Sequence, residues 1–220
     1  MEKKIKNPRK KTETSVKSGQ DSVASIIEAF IDICAVSGNE KVTLKALSER
    51  TGLSLSNVKY HIDNSPKSLE ELCTEFTRNH VNMYLEESIF KDRMSGHFDP
   101  LLSYAKHMLT WTFKYPRLGV YLLMIYYKSA LQESTTSRYE SILTRALSRV
   151  ESLLHEGVGM GLYQTEGVNK KDIIVSFHAL ILGHLVITVN MRSQEELESR
   201  LKMSQEFLQT QLIVQKNKIG

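Results

Sequence analysis

The chain has 220 residues, 41% of them hydrophobic and 25% charged, which is enough to bury a sizeable core in one or two domains. Two cysteines, Cys34 and Cys73, cannot form a disulfide framework. No apolar run reaches the ~18–20 residues that span a bilayer. The charged N-terminus lacks the apolar segment of a secretory signal. We therefore expect neither a secreted nor a membrane protein, and the composition favours the reducing cytoplasm.

The first 20 residues are polar and basic, and they are predicted to be disordered in the absence of DNA. Residues 1–17 contain seven Lys or Arg and two Glu, a charge of +5, so the rest of the chain carries −1 of the net +4. A basic arm on a near-neutral body is typical of polyanion binding, and an arm just before a first helix can reach phosphates or the minor groove. A solvated tail that maintains solubility is the alternative.

A first helix is predicted from Asp21 or Ser22 to Gly38. Its apolar residues follow helical spacing and form one stripe: Val23, Ile26, Ile27, Phe30, Ile31 and Cys34. This helix should pack across the two shorter helices that follow it and complete a three-helix core.

The segment Val42–Ile62 is predicted to form two short helices joined by a tight turn. Thr43 is a suitable N-cap, and Leu44 and Leu47 would face inward from the first helix. Gly52 stands where a residue in the left-handed conformation ends a helix, which glycine does without steric cost. The pattern is therefore that of a helical hairpin.

Ser54 can cap the second of these helices, in which Val58 and Ile62 face inward, and Leu53 can fill the corner. The outward face combines hydrogen-bond donors, a fixed charge and an aromatic ring: Leu55, Ser56, Asn57, Lys59, Tyr60 and His61. Such a face suits a helix that lies in the major groove of DNA. An ordinary amphipathic hairpin is the alternative, because solvated polar faces are common.

This segment resembles the DNA-binding domain of the TetR family of bacterial repressors. The matching residues are Thr43, Leu44, Leu47, Gly52, Leu53, Ser54, Val58, His61 and Ile62, followed by Lys67, Leu69 and Leu72. The chain departs from the family at Lys59, where the family usually has Tyr. It also departs at Ile62, where Phe is usual, and at Ser65, where Lys is usual.

The resemblance implies roles for the residues of the hairpin. Thr43 and Lys45 would contact the DNA backbone or base edges from the first helix. The residues that would face the groove are Leu55, Ser56, Asn57 and Lys59. Tyr60, His61 and Lys67 would hold phosphates. The resemblance also implies a homodimer whose last two helices form a four-helix interface with their copies.

Three further helix starts are marked along the chain. Ser68 and Glu71 have the spacing of a capping box, and the helix they open would link the N-terminal domain to the rest. Asp99 followed by Pro100 has the pattern of an N-cap and a first helical residue, and Pro116 opens another helix.

The two helices that begin at Pro100 and Pro116 are rich in aromatic residues and Met. Such stripes are typical of core packing, but they can also line a cavity that repacks around an apolar or aromatic ligand. The predicted ligand-binding residues are Tyr104, Met108, Trp111, Tyr121, Met124, Ile125, Phe177 and His178. The sequence is compatible with both core packing and a ligand cavity.

The C-terminal part is predicted to hold three helices, from Ser137 to His155, from Asn169 onward, and from Gln194 to about Val214. The glycines between the first two, at 157, 159, 161 and 167, predict a loop. They do not indicate a phosphate cradle, because no strand precedes them and no Lys-Ser/Thr follows in register. The last two helices have wide apolar faces, which suggests self-association.

Nothing in the sequence has the spacing of a catalytic or metal site. His178 and His184 are six residues apart, so they lie on different faces of a helix, unlike the i, i+4 pair of a zinc helix. We therefore expect no enzyme activity, no cofactor and no metal. Cys34 and Cys73 are expected to be buried as small apolar residues.

The sequence thus predicts an all-α protein with a disordered basic arm at 1–20, a helix-turn-helix DNA-binding domain at 21–66, and a ligand-binding and dimerisation domain at 67–220. The predicted function is a dimeric cytoplasmic transcription regulator, most simply a repressor, that is released from a palindromic operator by a small apolar or aromatic ligand. The alternative is a helical interaction protein without specific DNA binding, whose apolar surface serves a protein or lipid partner.

Overall fold

The computed structural model describes residues 19–96, 98–131, 137–191 and 193–211, and within these ranges it contains α-helices and no strand. The helices are α1 Gly19–Ser37, α2 Leu44–Thr51, α3 Leu55–Asp63, α4 Leu69–Met94, α5 Pro100–Lys114, α6 Pro116–Leu131, α7 Ser137–Gly159, α8 Lys170–Thr188 and α9 Gln194–Gln211. The predicted all-α class is therefore confirmed.

Most predicted helix starts are confirmed by their caps. Ser68 and Glu71 form a complete capping box at the start of α4, with hydrogen bonds in both directions. Asp99 caps α5 by accepting a hydrogen bond from the backbone N of Leu102 at 2.9 Å, and Asn169 caps α8. The predictions for residues 1–18 and for the end of the last helix beyond 211 lie outside the described residues.

The N-terminal helices share a buried cluster with α6. Phe30 of α1 packs edge-on against Tyr121, with 6.2 Å between the ring centroids, and Ile125 belongs to the same cluster. The core of the predicted domain at 21–66 is therefore completed by residues from the second half of the chain. Cys34 and Cys73 are both buried thiols, as predicted. Burial raises the pKa of Cys34 to about 11 and also raises the pKa of Cys73.

The second cluster is built around α5, which packs against α4, α6, α7, α8 and α9. Its largest fully buried side chains include Trp111, Phe177, Leu101, Leu109, Leu154 and Leu185. Trp111 also donates a hydrogen bond from Nε1 to Nδ1 of His80 at 2.9 Å. Helix α5 is thus a central element that fixes the positions of its neighbours.

Two expectations about local structure were wrong. Leu44 is 36% exposed and does not share the inward position of Leu47, because it lies in the first turn of α2 with solvent on its outer side. Helix α7 also continues past its predicted end and includes Gly157, which lies under the ring of Tyr163. Only Gly161 and Gly167 form turns, with positive φ angles of 71° and 78°.

Helix α8 has the length and apolar composition of a membrane-spanning helix, which corrects the expectation that the sequence holds no such segment; it is the one such helix among the described residues. A buried core helix of a soluble protein can have the same length and apolar composition. One face of α8 contributes Phe177, Ile181 and Leu185 to the second cluster, so the helix is part of the folded core.

Candidate functional site

The turn between α2 and α3 is fixed by side-chain caps at both helix starts. Thr43 Oγ1 accepts a hydrogen bond from the backbone N of Ala46 at 3.1 Å, and Ser54 Oγ accepts one from the backbone N of Asn57 at 3.2 Å. Gly52 ends α2 with a φ of 73°, in the left-handed region. These bonds confirm the predicted caps and the predicted turn.

Two more hydroxyl groups hold the corner between the helices. Ser48 Oγ donates to the carbonyl O of Leu53 at 2.6 Å. Thr51 Oγ1 donates to the carbonyl O of Leu47 at 2.7 Å and accepts from the backbone N of Leu53 at 3.2 Å. Because its corner is tied by these bonds, α3 is held on α2 in a fixed orientation, which a recognition surface requires.

Helix α3 buries one side only. Val58 is fully buried and Ile62 is half-buried against α1, as predicted. The residues predicted on the outward face are all exposed or half-exposed: Leu55, Ser56, Asn57 and Lys59, which were predicted to face the groove, and Tyr60 and His61, which were predicted to hold phosphates. Tyr60 is 62% exposed, and its ring lies edge-on to that of His61 at 5.5 Å.

The predicted DNA-contacting lysines differ in their ion pairs. Lys45 is exposed and lies 3.9 Å from Glu49, a surface pair that is worth little in water. Lys67 is held more closely, with Nζ at 2.6 and 2.7 Å from the two carboxylate oxygens of Glu75. Lys59 has no ion pair in the part of the chain that the structure describes. A phosphate contact by Lys67 would therefore have to replace an existing pair, whereas one by Lys59 would not.

A cavity of about 300 Å³ lies between α4, α5, α6 and α7. Its described lining residues are Arg78, Val81, Asn82, Leu85, Tyr104, Met108, Leu122, Tyr126, Ile142, Arg145, Ala146, Ser148 and Arg149. This volume is at the lower end of the range for small-molecule sites. Arg145 and Ser148 are exposed, so the α7 side of the cavity faces solvent, while Leu85 and Leu122 close it on the inside.

Of the eight ligand-binding residues predicted from the sequence, Tyr104 and Met108 line this cavity. The other six lie elsewhere: Trp111, Tyr121, Met124, Ile125, Phe177 and His178. Phe177 lies behind Tyr104, with 6.4 Å between ring centroids, and His178 lies beside Tyr126 at 5.7 Å. Phe177 and His178 therefore pack against the outer side of the residues that line the cavity.

The sequence analysis missed the polar side of the cavity. Arg78 and Asn82 are one turn apart on α4, and Arg145 and Arg149 are one turn apart on α7. Arg149 Nη1 donates a hydrogen bond to Asn82 Oδ1 at 3.1 Å, which links the pair on α7 to the pair on α4. Polar i, i+4 pairs at the edge of an apolar helical stripe were the available signal.

The guanidinium of Arg149 affects the phenols on the cavity wall. Burial raises the pKa of Tyr104 to about 12, and the positive charge of Arg149 opposes that rise. Burial likewise raises the pKa of Tyr126, again opposed by Arg149. Both phenols therefore stay neutral at physiological pH, and the arginines supply the charge of this cavity.

Helix α6 lies between the cavity and the N-terminal helices. Leu122 and Tyr126 face the cavity, while Tyr121 and Ile125 pack into the cluster with α1. Lys128 of α6 also forms an ion pair with Glu70 at the start of α4. A structural change in the cavity would thus act on α6, whose opposite face packs against α1.

Helix α8 leaves one side apolar and exposed. Val175, Ala179, Gly183 and Val186 follow helical spacing on that side, and all four are exposed. A Cβ added at Gly183 would meet no other atom within 4 Å. We call these four residues the α8 stripe. An exposed apolar stripe of this kind is typical of an interaction surface.

Several solved structures with the same architecture are all-α transcription regulators. A TetR transcription regulator from Haloarcula marismortui is 19% identical, with a TM-score of 0.63 over 88% of this chain and 99% of that one. A TetR regulator from Chloroflexus aurantiacus is 14% identical, with a TM-score of 0.68 over 88% and 97%.

AibR, solved in complex with isovaleryl coenzyme A and operator DNA, is 15% identical, with a TM-score of 0.58 over 83% of this chain and 97% of that one. No protein-family model and no curated protein sequence matches the chain. The chain has the fold of the TetR family of transcription regulators along most of its length.

Proposed function

We propose that this protein is a dimeric, cytoplasmic transcription regulator that binds an operator through the outer face of α3 and responds to a small ligand. The observation that carries the proposal is the geometry of α3, which is capped, buried on one side and tied to α2 through its corner. An α-helix fits the major groove of B-DNA, where base edges can be distinguished. The fold shared with AibR, which was solved in complex with operator DNA, supports this assignment.

The DNA contacts follow from the exposed side chains. Leu55, Ser56, Asn57 and Lys59 face the groove in the proposal, and Thr43 and Lys45 contact the DNA from the start of α2. Tyr60, His61 and Lys67 lie beside them toward the phosphates. Asn57 is suited to a base edge because its amide offers both a donor and an acceptor.

The α8 stripe is the proposed centre of the dimer interface, together with α9. In a twofold dimer, two copies of α3 must lie about 34–36 Å apart to enter successive major grooves on one side of the DNA. A palindromic operator follows from that symmetry. The ligand would bind in the cavity and, through α6, favour a conformation of the dimer in which the two copies of α3 are spaced differently. To shift the populations of the two conformations, the ligand must bind one of them more tightly than the other.

Exchanging Lys59 and Asn57 for alanine should have different effects on DNA binding. Lys59→Ala should weaken binding to operator and random DNA by similar factors and lower the salt slope by about one, because one phosphate contact is lost. Asn57→Ala should weaken operator binding alone, by about 1–3 kcal/mol, because a base contact is lost. Fluorescence anisotropy with labelled duplexes over a salt series measures both effects.

Lys91→Ala is the matched control, because Lys91 is an exposed lysine on α4. It should bind both duplexes like the parent. Parent-like binding of operator DNA by both the Lys59 and the Asn57 variants would show that α3 does not read the DNA.

Removing residues 1–17 should weaken DNA binding and flatten its salt dependence. Seven basic residues leave with this segment, so fewer counterions are released when the complex forms. The slope of log K against log salt, measured on the same operator duplex for full-length and shortened chains, tests this. An unchanged slope would mean that the arm makes no contact with DNA.

A helical interaction protein without specific DNA binding is the second candidate. It is favoured by exposed apolar side chains on α4, since Met83, Phe90 and Met94 are all largely exposed. Lys67, one of the proposed phosphate contacts, is also paired with Glu75, which a phosphate would have to replace. Titration against operator-containing and random duplexes separates the two functions, because a specific regulator should prefer its site by ~10³-fold or more.

A further inference from the structure

The wall of the cavity has two chemically different sides. Tyr104, Met108, Leu122 and Leu85 are buried and form an apolar inner side. Arginine side chains from α4 and α7 form the outer side, toward solvent. A ligand that satisfies both sides must have an apolar part and a polar part.

The arginines converge because of their spacing. Arg145 and Arg149 are one helical turn apart on α7, so they project from the same face, and Arg78 lies opposite them on α4. The hydrogen bond from Arg149 to Asn82 spans the two helices at 3.1 Å and fixes the position of that guanidinium. Three guanidinium groups therefore lie on the wall of one small cavity.

These charges are not balanced within the cavity wall. No Asp or Glu occurs among its described lining residues, and the described residues give Arg78 and Arg145 no ion pair. Elsewhere, basic residues that bridge two helices have carboxylate partners, as Arg93 does with Glu156 at 2.7 Å. Guanidinium groups bind carboxylates and phosphates through two parallel hydrogen bonds. The cavity thus offers donors for an anion, and none of its described lining residues supplies one.

We infer that the cavity binds an amphipathic anion, with a carboxylate or phosphate head at Arg78, Arg145 and Arg149 and an apolar tail against Tyr104, Met108 and Leu122. This deepens the proposed ligand-responsive function and rests on it. It changes the expected effector from a purely apolar or aromatic molecule to a charged one. A cavity of about 300 Å³ limits the tail to medium length.

Calorimetric titration of the full-length protein with four ten-carbon probes tests the charge preference. The probes are decanoate, decyl phosphate, decanol and decyltrimethylammonium, each used below its micellar concentration. The anions should bind at least tenfold more tightly than decanol, and the cation should not bind. The ratio between the two anions decides which head group the arginines prefer. Equal binding of decanoate and decanol would overturn the inference.

Arginine variants locate the binding site. Arg145→Gln and Arg149→Gln should each weaken decanoate binding at least tenfold and leave decanol binding unchanged. Arg117→Gln is the matched control, because Arg117 is exposed on α6 and lies outside the cavity. Leu122→Trp should fill the cavity and abolish binding of all probes, while circular dichroism checks that it still folds. Unchanged decanoate binding by the folded arginine variants or by the folded Leu122 variant would overturn the inference.

Operator binding is measured separately, so that the two proposals can fail independently. Arginine-dependent binding of decanoate without any release of operator DNA supports the anion site and contradicts its role as the effector site. Operator binding by a protein that binds neither anion supports the DNA-binding function and overturns the anion site.

Discussion

Val186→Glu should convert the dimer into a monomer and weaken operator binding at least ~100-fold. Val186 is 55% exposed in the single chain and lies at one end of the α8 stripe, so a glutamate there remains solvated in a monomer. In a twofold interface, the same substitution buries a charge without a partner, which is costly. Loss of the dimer removes the gain of ~10²–10⁴ from binding two half-sites together.

Sedimentation velocity at micromolar concentration measures the assembly, and anisotropy with operator DNA measures the affinity. Met83→Glu is the matched control, because Met83 is 70% exposed on α4 and is not part of the α8 stripe. That variant should stay dimeric and bind DNA like the parent. If Val186→Glu sediments as a dimer, the interface lies elsewhere on the molecule.

Gly157→Val should lower the free energy of unfolding by about 2–6 kcal/mol. A Cβ at this position would lie 1.9 Å from a ring carbon of Tyr163, so the ring must move. Tyr163 is buried and accepts a hydrogen bond at its hydroxyl from the backbone N of Leu101 at 3.1 Å, and it also donates to Asp99. Overpacking costs about 1–3 kcal/mol, and loss of a buried hydrogen bond costs about as much again.

Urea unfolding followed by circular dichroism measures this effect. Gly159→Ala is the matched control, because a Cβ at Gly159 meets no other atom within 4 Å. In a helical position, alanine should raise the stability slightly, by up to ~1 kcal/mol, or leave it unchanged. Equal midpoints for the parent and the Gly157 variant would mean that Tyr163 can move without losing its contacts.

The proposed anion site and the proposed dimer surface share one physical feature. Among the described residues, the guanidinium groups on the cavity wall have no carboxylate in that wall, and the apolar α8 stripe is exposed to solvent. Unpaired groups of these kinds are expected where a second molecule binds. The ligand and the second copy of the chain are the partners that the proposal assigns to them.

Local sequence determined the helices and most of their ends, with the end of α7 as an exception, because caps and turns depend on a few neighbouring residues. Thr43, Ser54, Ser68 and Asp99 each cap a helix through a bond to a backbone N three residues later, and Gly52 ends α2 in the left-handed conformation. These features could be predicted from spacing alone. The inward face of α3 followed from the same periodicity.

Tertiary structure alone decided which aromatic residues line the cavity and which fill the core. Trp111, Tyr121 and Phe177 have the same character in the sequence as Tyr104, yet only Tyr104 reaches the cavity. Their placement depends on which face of α5, α6 or α8 meets which neighbour, and contacts between residues far apart in sequence set those faces. The convergence of Arg78 with Arg145 and Arg149 has the same cause. These residues are separated by most of α4 and by all of α5 and α6, and only the packing of α7 against those helices brings them onto one cavity wall.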